Sequence, residues 1–130
     1  MNPKKTLSPR GIFERAISEE DVILSIRQYL TLRGARVFRI TERIPKRNWK
    51  GMIVGRVSER GNPDLYAWFP KLARTPEPLH FFIEVKRPGG KHSPSQEQWI
   101  KNANDDGVIA FFAESIDDVI REFGKRGISL

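Results

Sequence analysis

Three stretches of the chain repeat apolar residues at the spacing of an amphipathic helix. They cover residues 18–34, 93–107 and 115–124. Each begins with a serine, which can accept a hydrogen bond from the first turn of a helix, and each ends at a glycine, which favours helix termination. The first serine also has an acidic residue three positions on, as in a capping box. The pattern therefore predicts three helices, starting after Ser18, Ser93 and Ser115.

Other segments alternate apolar and polar residues or form short apolar runs, as strands do. We predict strands over 35–41, 64–69, 80–87 and 108–113, the last of them buried. Residues 42–62 are basic and rich in turn formers, and we interpret them as a long loop with a short strand around 52–57. The order of elements indicates an α/β fold, a mixed β-sheet flanked by helices. A single domain over 18–126 would follow a loose arm over 1–17.

Composition narrows the class of protein. The 130 residues are 38 % hydrophobic and 30 % charged, which is typical of a folded globular domain. The absence of cysteine excludes disulfides and thiolate metal sites and fits an intracellular location. No apolar run approaches the ~20 residues of a membrane span. The formal net charge of +7 favours a polyanionic partner such as nucleic acid, although a merely basic surface would look the same.

Two strands place chemically useful side chains near their ends. In the strand over 80–87, Glu84 and Lys86 lie on one face just before a glycine-rich break. Asp64 opens another strand after a turn of Gly, Asn and Pro. If the strands are neighbours, Asp64 and Glu84 meet at one end of the sheet and suit Mg²⁺ or Mn²⁺. The alternatives are a solvated ion pair at Glu84 and simple turn chemistry at Asp64.

Glu19 is an acidic residue in an unexpected position. At about 100° per residue it lies in the middle of the apolar face of the first predicted helix, whereas Glu20 lies to one side. An unpaired buried carboxylate is costly. Glu19 is therefore expected either to face the metal site through a water or to interact with the helix dipole.

Together these residues resemble the VRR-NUC domain, a branch of the PD-(D/E)XK nuclease superfamily, in its stand-alone phage and bacterial form. The resemblance rests on the segments 61–65 (GNPDL) and 83–90 (IEVKRPGG), followed by Gln96 and Trp99. It extends from about Glu19 to Phe123. It implies a restriction-endonuclease-like core and a metal-dependent nuclease that hydrolyses DNA phosphodiester bonds.

The resemblance also implies roles for individual residues. Asp64 and Glu84, with the carbonyl of Val85, would bind Mg²⁺ or Mn²⁺, and Lys86 would be the catalytic lysine. Glu19 would be the acidic residue of the first helix. Gln96 matches a glutamine near the site, but it also occupies the capping-box position after Ser93. Trp99 is interpreted as a core residue.

The basic segment supplies the expected DNA contacts. The candidates are basic or aromatic residues of this segment and of the break after Glu84, namely Arg43, Lys46, Arg47, Trp49, Lys50, Arg56, Arg60, Arg87 and Lys91. Trp49 would either stack on an unpaired base or pack the loop down. The resemblance implies a homodimer acting on branched DNA such as Holliday (four-way) junctions. The alternatives are a flap-directed, end-directed or restriction-like nuclease, and a catalytically silent nucleic-acid-binding module.

Overall fold

The helices and strands follow the predicted order, with one addition. The computed structural model describes residues 16–40, 43–58 and 61–130, so the predicted arm over 1–17 lies almost wholly outside the described residues. The elements are α1 (Glu19–Leu32), β1 (Arg36–Arg39), β2 (Arg43–Arg47), β3 (Ile53–Ser58), β4 (Leu65–Phe69), β5 (Leu79–Val85), α2 (Pro94–Asp105), β6 (Ile109–Ala113) and α3 (Ile116–Gly124). None of the helices in the described part of the chain combines the length and the apolar composition that a membrane span requires.

The main sheet is mixed and has four strands in the order β1-β4-β5-β6. β1 and β5 are both antiparallel to β4, and β6 is parallel to β5. α1 and α3 pack on one face, where the apolar stripe of α1 meets the strands through Val22, Ile23, Ile26 and Leu30. On the other face, α2 packs on β6 through Ile100 and Ala103. The α/β class, with helices flanking a mixed sheet, is confirmed.

The helix starts are the ones that the caps predicted. Ser18 and Ser93 each form a complete capping box, with Asp21 and Gln96 as the partners. α3 ends at Gly124 as predicted, but Gly124 is itself helical and does not adopt the left-handed conformation that often follows a helix. Gly127 takes the left-handed conformation instead, with φ +74°, and the Ile128 N–H donates to the carbonyl of Phe123. The last helical residue is thus the predicted one, and only the left-handed glycine comes three residues later than expected.

The interpretation of residues 42–62 as a long loop was wrong, although the short strand expected around 52–57 is confirmed as β3. β2 and β3 pair antiparallel as a separate two-stranded sheet, here called the basic hairpin. Asn48 Oδ1 organises the turn by accepting hydrogen bonds from the N–H groups of Lys50 (2.9 Å) and Met52 (3.0 Å). The Arg47 guanidinium closes the turn by donating to the carbonyl of Gly51 at 2.8 Å. Local side-chain bonds of this kind leave little trace in a hydrophobic pattern.

Candidate active site

Asp64 and Glu84 lie side by side at one end of the central strands. In the β4–β5 register Leu65 is opposite Ile83, which places Asp64 opposite Glu84 on the same face of the sheet. Asp64 Oδ2 accepts a hydrogen bond from the backbone N–H of Val85 at 2.8 Å. This bond holds one carboxylate oxygen of Asp64 against the neighbouring strand. The sequence-based expectation that the two acidic residues meet is therefore met by the geometry.

A close backbone contact fixes the loop that carries Asp64. Gly61 has φ +84°, and a Cβ built on it would lie 2.7 Å from the carbonyl oxygen of Ser95 in the first turn of α2. Only glycine fits this approach without moving one of the two backbones. The loop from Gly61 to Pro63 is thereby held against the start of α2. The sequence offered a signal in the Gly-Asn-Pro turn, but it did not identify α2 as the contact.

Glu84 is a buried acid whose environment is incompletely satisfied. Only 3 % of the surface of Glu84 is exposed to solvent. Oε1 accepts a hydrogen bond from Gln96 Nε2 at 2.8 Å and lies 3.7 Å from the Lys86 ammonium. Oε2 is buried and has no hydrogen-bond partner among the described residues. Burial, followed by the nearby charge of Asp64, raises the pKa of Glu84 to about 8, against the opposing effect of Lys86.

Gln96 serves both as a helix cap and as a partner of the buried acid. Its side-chain oxygen accepts a hydrogen bond from the Ser93 N–H at 2.9 Å, while its side-chain nitrogen donates to Glu84. An amide can do both because it carries one acceptor and one donor group. The two interpretations of Gln96 that the sequence left open thus describe opposite ends of the same side chain.

Glu19 lies at the start of α1, on the other side of the sheet end. Its side chain is partly buried, and its pKa is raised, first by burial and then by the charge of Asp64, while Lys86 lowers it. Glu20 instead forms a two-bond ion pair with Arg39 on β1, with contacts of 2.9 and 2.5 Å. The two adjacent glutamates therefore have different surroundings. Glu19 is close enough to Asp64 and Lys86 for their charges to shift its pKa, whereas Glu20 links α1 to the edge strand β1 through its ion pair with Arg39.

The predicted DNA-contacting residues lie in two groups. Lys46, Arg47, Trp49 and Lys50 are exposed on the basic hairpin. Trp49 is 89 % exposed with the Lys50 ammonium 5.0 Å from its ring centre, so it does not pack the segment down. Arg87 and Lys91 are exposed in the break that follows Lys86. Arg60 and the side chains of Arg43 and Arg56 lie outside the described residues.

Trp99, which the sequence analysis interpreted as a core residue, packs edge-on against Phe82, as a core residue would.

The donor set fits a hard divalent cation. Within the described part of the chain, no cluster of three or more His, Cys, Asp or Glu residues suited to hold a metal is present. Mg²⁺, however, needs only one or two carboxylates and completes its shell with carbonyls and water. Asp64 and Glu84 supply two carboxylates, and the unpartnered Oε2 of Glu84 is the kind of buried acceptor that a cation would satisfy. The absence of cysteine leaves only oxygen and nitrogen ligands.

A mixed sheet between helices, with two carboxylates and a lysine at the end of its central strands, defines an α/β domain of nuclease type. The family model described as the VRR-NUC domain matches residues 13–117, which is most of the chain. The chain belongs to the VRR-NUC domain family, and the resemblance and nuclease-like fold expected from the sequence are confirmed. None of the curated proteins or solved structures compared with the chain matches it.

Proposed function

We propose that the protein is a metal-dependent DNA endonuclease that hydrolyses phosphodiester bonds, with Asp64, Glu84 and Lys86 at its catalytic centre. The observation that carries this proposal is the buried Glu84 carboxylate, which has one unpartnered oxygen beside Asp64 and the Lys86 ammonium 3.7 Å from the other oxygen. A silent binding module would gain nothing from this arrangement, because a buried acid beside a second acid, with one oxygen unpartnered, destabilises the fold.

Asp64, Glu84 and the carbonyl of Val85 would hold the cation, Mg²⁺ or Mn²⁺. When bound, such an ion lowers the pKa of a coordinated water and offsets charge on the scissile phosphate. The Val85 N–H fixes the orientation of Asp64, and the Gln96 amide fixes that of Glu84. Both acids are therefore positioned before any ligand arrives.

Lys86 and Glu19 would act on the water and the phosphate. The Lys86 side chain is 13 % exposed, so its ammonium lies in a largely desolvated setting where its charge acts strongly. It would orient the attacking water or stabilise the charge that develops on the phosphate oxygens. Glu19 would accept a hydrogen bond from a water on the side of α1. Its raised pKa fits a carboxyl group that is partly buried and lies near the charge of Asp64.

Phosphates on either side of the cut would contact the two basic groups. Arg87 and Lys91 flank the site, and the basic hairpin extends the positive surface through Lys46, Arg47 and Lys50. Arg43, Arg56 and Arg60 are proposed for the same role from the sequence alone. Trp49, exposed beside these cations, is suited to stack on an unpaired or frayed base. These contacts bind DNA of any sequence, which favours selection by shape.

We propose that the selected shape is branched DNA, such as a four-way junction, and that the chain acts as a homodimer. Two sites related by a two-fold axis would cut two strands of a symmetric junction. Action on such DNA would place the protein inside the cell, in the cytoplasm or at the nucleoid. A flap-directed, end-directed or restriction-like nuclease is the alternative within the same chemistry.

A panel of labelled DNAs tests the proposal. The full chain is incubated in Mg²⁺ or Mn²⁺ with a duplex, a flap and a four-way junction of matched sequence, and in EDTA as the control. We expect cleavage only with metal and fastest for the junction. Cleavage fastest for flaps or ends would replace the junction with the alternative substrate, and absence of cleavage of every DNA would contradict the proposed function.

A further inference from the structure

One face of the main sheet carries aromatic side chains that continue directly from the candidate active site. Side chains at alternate positions of β1, β4 and β5 lie in rows across the strands. The row after Asp64 and Glu84 contains Phe38, Tyr66 and Phe82, and the next contains Arg36, Trp68 and His80. Successive rows are about 7 Å apart along the strands. We call Phe38, Tyr66, Trp68 and His80 the aromatic face.

The aromatic face is partly open to solvent. Phe38 is 48 % exposed, His80 is also exposed, and Tyr66 and Trp68 are half-buried. α2 covers the neighbouring part of the sheet, where Trp99 packs on Phe82. Large aromatic residues are normally buried because they carry extensive apolar surface. Their partial exposure beside the proposed catalytic site leaves apolar ring surface available to a ligand that can stack on it.

The rings of the aromatic face hold one another in place. Phe38 and Trp68 stack with centroids 5.1 Å apart and an interplanar angle of 21°. Tyr66 and His80 are nearly parallel, at 12°, and the Tyr66 hydroxyl is hydrogen-bonded to His80 Nδ1 at 2.7 Å. Ordered rings lose little freedom when a further planar group joins them. The surface is therefore preorganised for stacking.

We propose that the aromatic face binds unpaired nucleotides of the DNA substrate next to the scissile phosphate, an inference that rests on the proposed nuclease function. The bases stack on Phe38 and Trp68, and Arg36 in the outer row contacts the backbone phosphate. Every base has a flat face, so this contact is independent of sequence. It distinguishes branched or frayed DNA from intact duplex, because paired bases within a duplex offer no free face.

Charge and position favour a nucleic-acid strand over a second protein copy. Beyond Asp64 and Glu84, the residues of β1, β4 and β5 on this face are aromatic or basic, which suits a polyanion. A second copy seated on the row of Phe38 and Tyr66 would lie about 7 Å from Asp64 and Glu84, where the substrate has to enter. Any dimer would then use a different surface.

Substitution of the rings by leucine tests the proposal. Phe38→Leu and Trp68→Leu keep an apolar side chain but lose the flat ring, and Tyr29→Leu makes the same kind of change on α1, where Tyr29 packs on the core. Affinities are measured in EDTA for a duplex and for the same duplex with a short unpaired arm. We expect Phe38→Leu and Trp68→Leu to weaken binding of the armed DNA by about tenfold, the scale of a single base–ring stack. Duplex binding should be unchanged, as should both affinities of Tyr29→Leu.

The outcomes separate this proposal from the proposed function. Equal affinities of all variants for the armed DNA would overturn the base-stacking role, even if the wild type cleaves DNA. Loss of affinity for both DNAs, together with a dimer-to-monomer change in sedimentation, would identify the aromatic face as a protein interface instead. In the wild type alone, a 2-aminopurine in the unpaired arm should lose fluorescence on binding, and unchanged fluorescence would count against stacking.

Discussion

Glu84 shows a conflict between stability and function within one residue. The fold buries a carboxyl group beside a second acid and leaves one oxygen without a partner among the described residues. Such an arrangement costs free energy in the metal-free protein, and a bound cation would offset that cost. Residues of this kind mark functional sites because packing alone would not select them.

The cost at Glu84 predicts a particular pH dependence of stability. Its pKa is about 8 in the folded protein and near 4.5 when unfolded. The unfolded chain therefore releases the proton first, so this residue's contribution is present below pH 4.5 and is lost as pH rises towards 8. Glu84→Gln should remove that loss. In the metal-free protein at pH 8 it should raise the free energy of unfolding by a few kcal/mol and the melting temperature by about 5 °C or more.

Thermal melts in EDTA between pH 5 and 8 provide the measurement. Glu77→Gln makes the same substitution at an exposed position in the loop before β5 and should melt as the wild type does. If Glu84→Gln and the wild type lose stability in parallel across this range, Glu84 is not the buried acid that the proposed site requires.

The two roles of Gln96 can be separated by substitution. Gln96→Glu keeps an oxygen for the Ser93 N–H but loses the amide donor to Glu84, so the helix cap should survive while cleavage falls at least ~10-fold. Ser93→Ala removes the reciprocal cap bond and should cost about 1 kcal/mol of stability with little change in kcat. Chemical denaturation and single-turnover kinetics measure the two effects. If the cleavage rates of both variants change only in proportion to their stability, Gln96 acts as a helix cap and has no separate role at Glu84.

At the scale of elements, the loop before β4 is held by contact with α2. Gly61→Ala would place a methyl group against the Ser95 carbonyl and should displace Asp64. Gly107→Ala is a matched control, because Gly107 also has positive φ, +86°, but has nothing within 4 Å of the added carbon. Both variants should lose about 1–2 kcal/mol of stability from backbone strain. Only Gly61→Ala should lose most of its cleavage rate, and equal rates for the two would mean that this contact does not position the site.

The helices and central strands could be predicted because their signals are local. Ser18, Ser93 and Ser115 cap helices through bonds to residues three positions away, which can be read directly from the sequence. The basic hairpin was missed because β2 carries no clear alternation of apolar and polar residues and contains Pro45. Its turn depends on the side chain of Asn48, and a hydrophobic pattern does not record such bonds.

The site was predictable as a set of residues but only in part as a geometry. The acids and the lysine could be identified from their spacing and from the family resemblance. Asp64 lies opposite Glu84 because of the β4–β5 register. The sequence alone did not show that these two strands are neighbours, so it predicted the meeting of the two acids only on that condition. The contact of Gly61 with Ser95 joins segments that are remote along the chain, so no local pattern could indicate it.

At the scale of the whole molecule, the charge of +7 is expected to act through the basic hairpin. Lys46→Gln with Lys50→Gln should lower the slope of log affinity against log salt by about 0.9 for each duplex phosphate that is no longer neutralised. Lys101→Gln with Lys125→Gln removes the same charge from α2 and the end of α3, where both lysines are ion-paired, and should leave the slope nearly unchanged. Arg47 is spared because it closes the hairpin turn. Equal slopes for both pairs would assign DNA binding to another surface.

The most direct test of the proposed catalytic centre compares cleavage with binding in two single variants. Asp64→Ala and Glu84→Ala each remove a carboxylate assigned to the cation and none assigned to DNA phosphates. With a labelled four-way junction in Mg²⁺ or Mn²⁺, each variant should lose cleavage while its affinity for the same DNA stays near that of the wild type. Cleavage at close to the wild-type rate by either folded variant would contradict the assignment of these two acids.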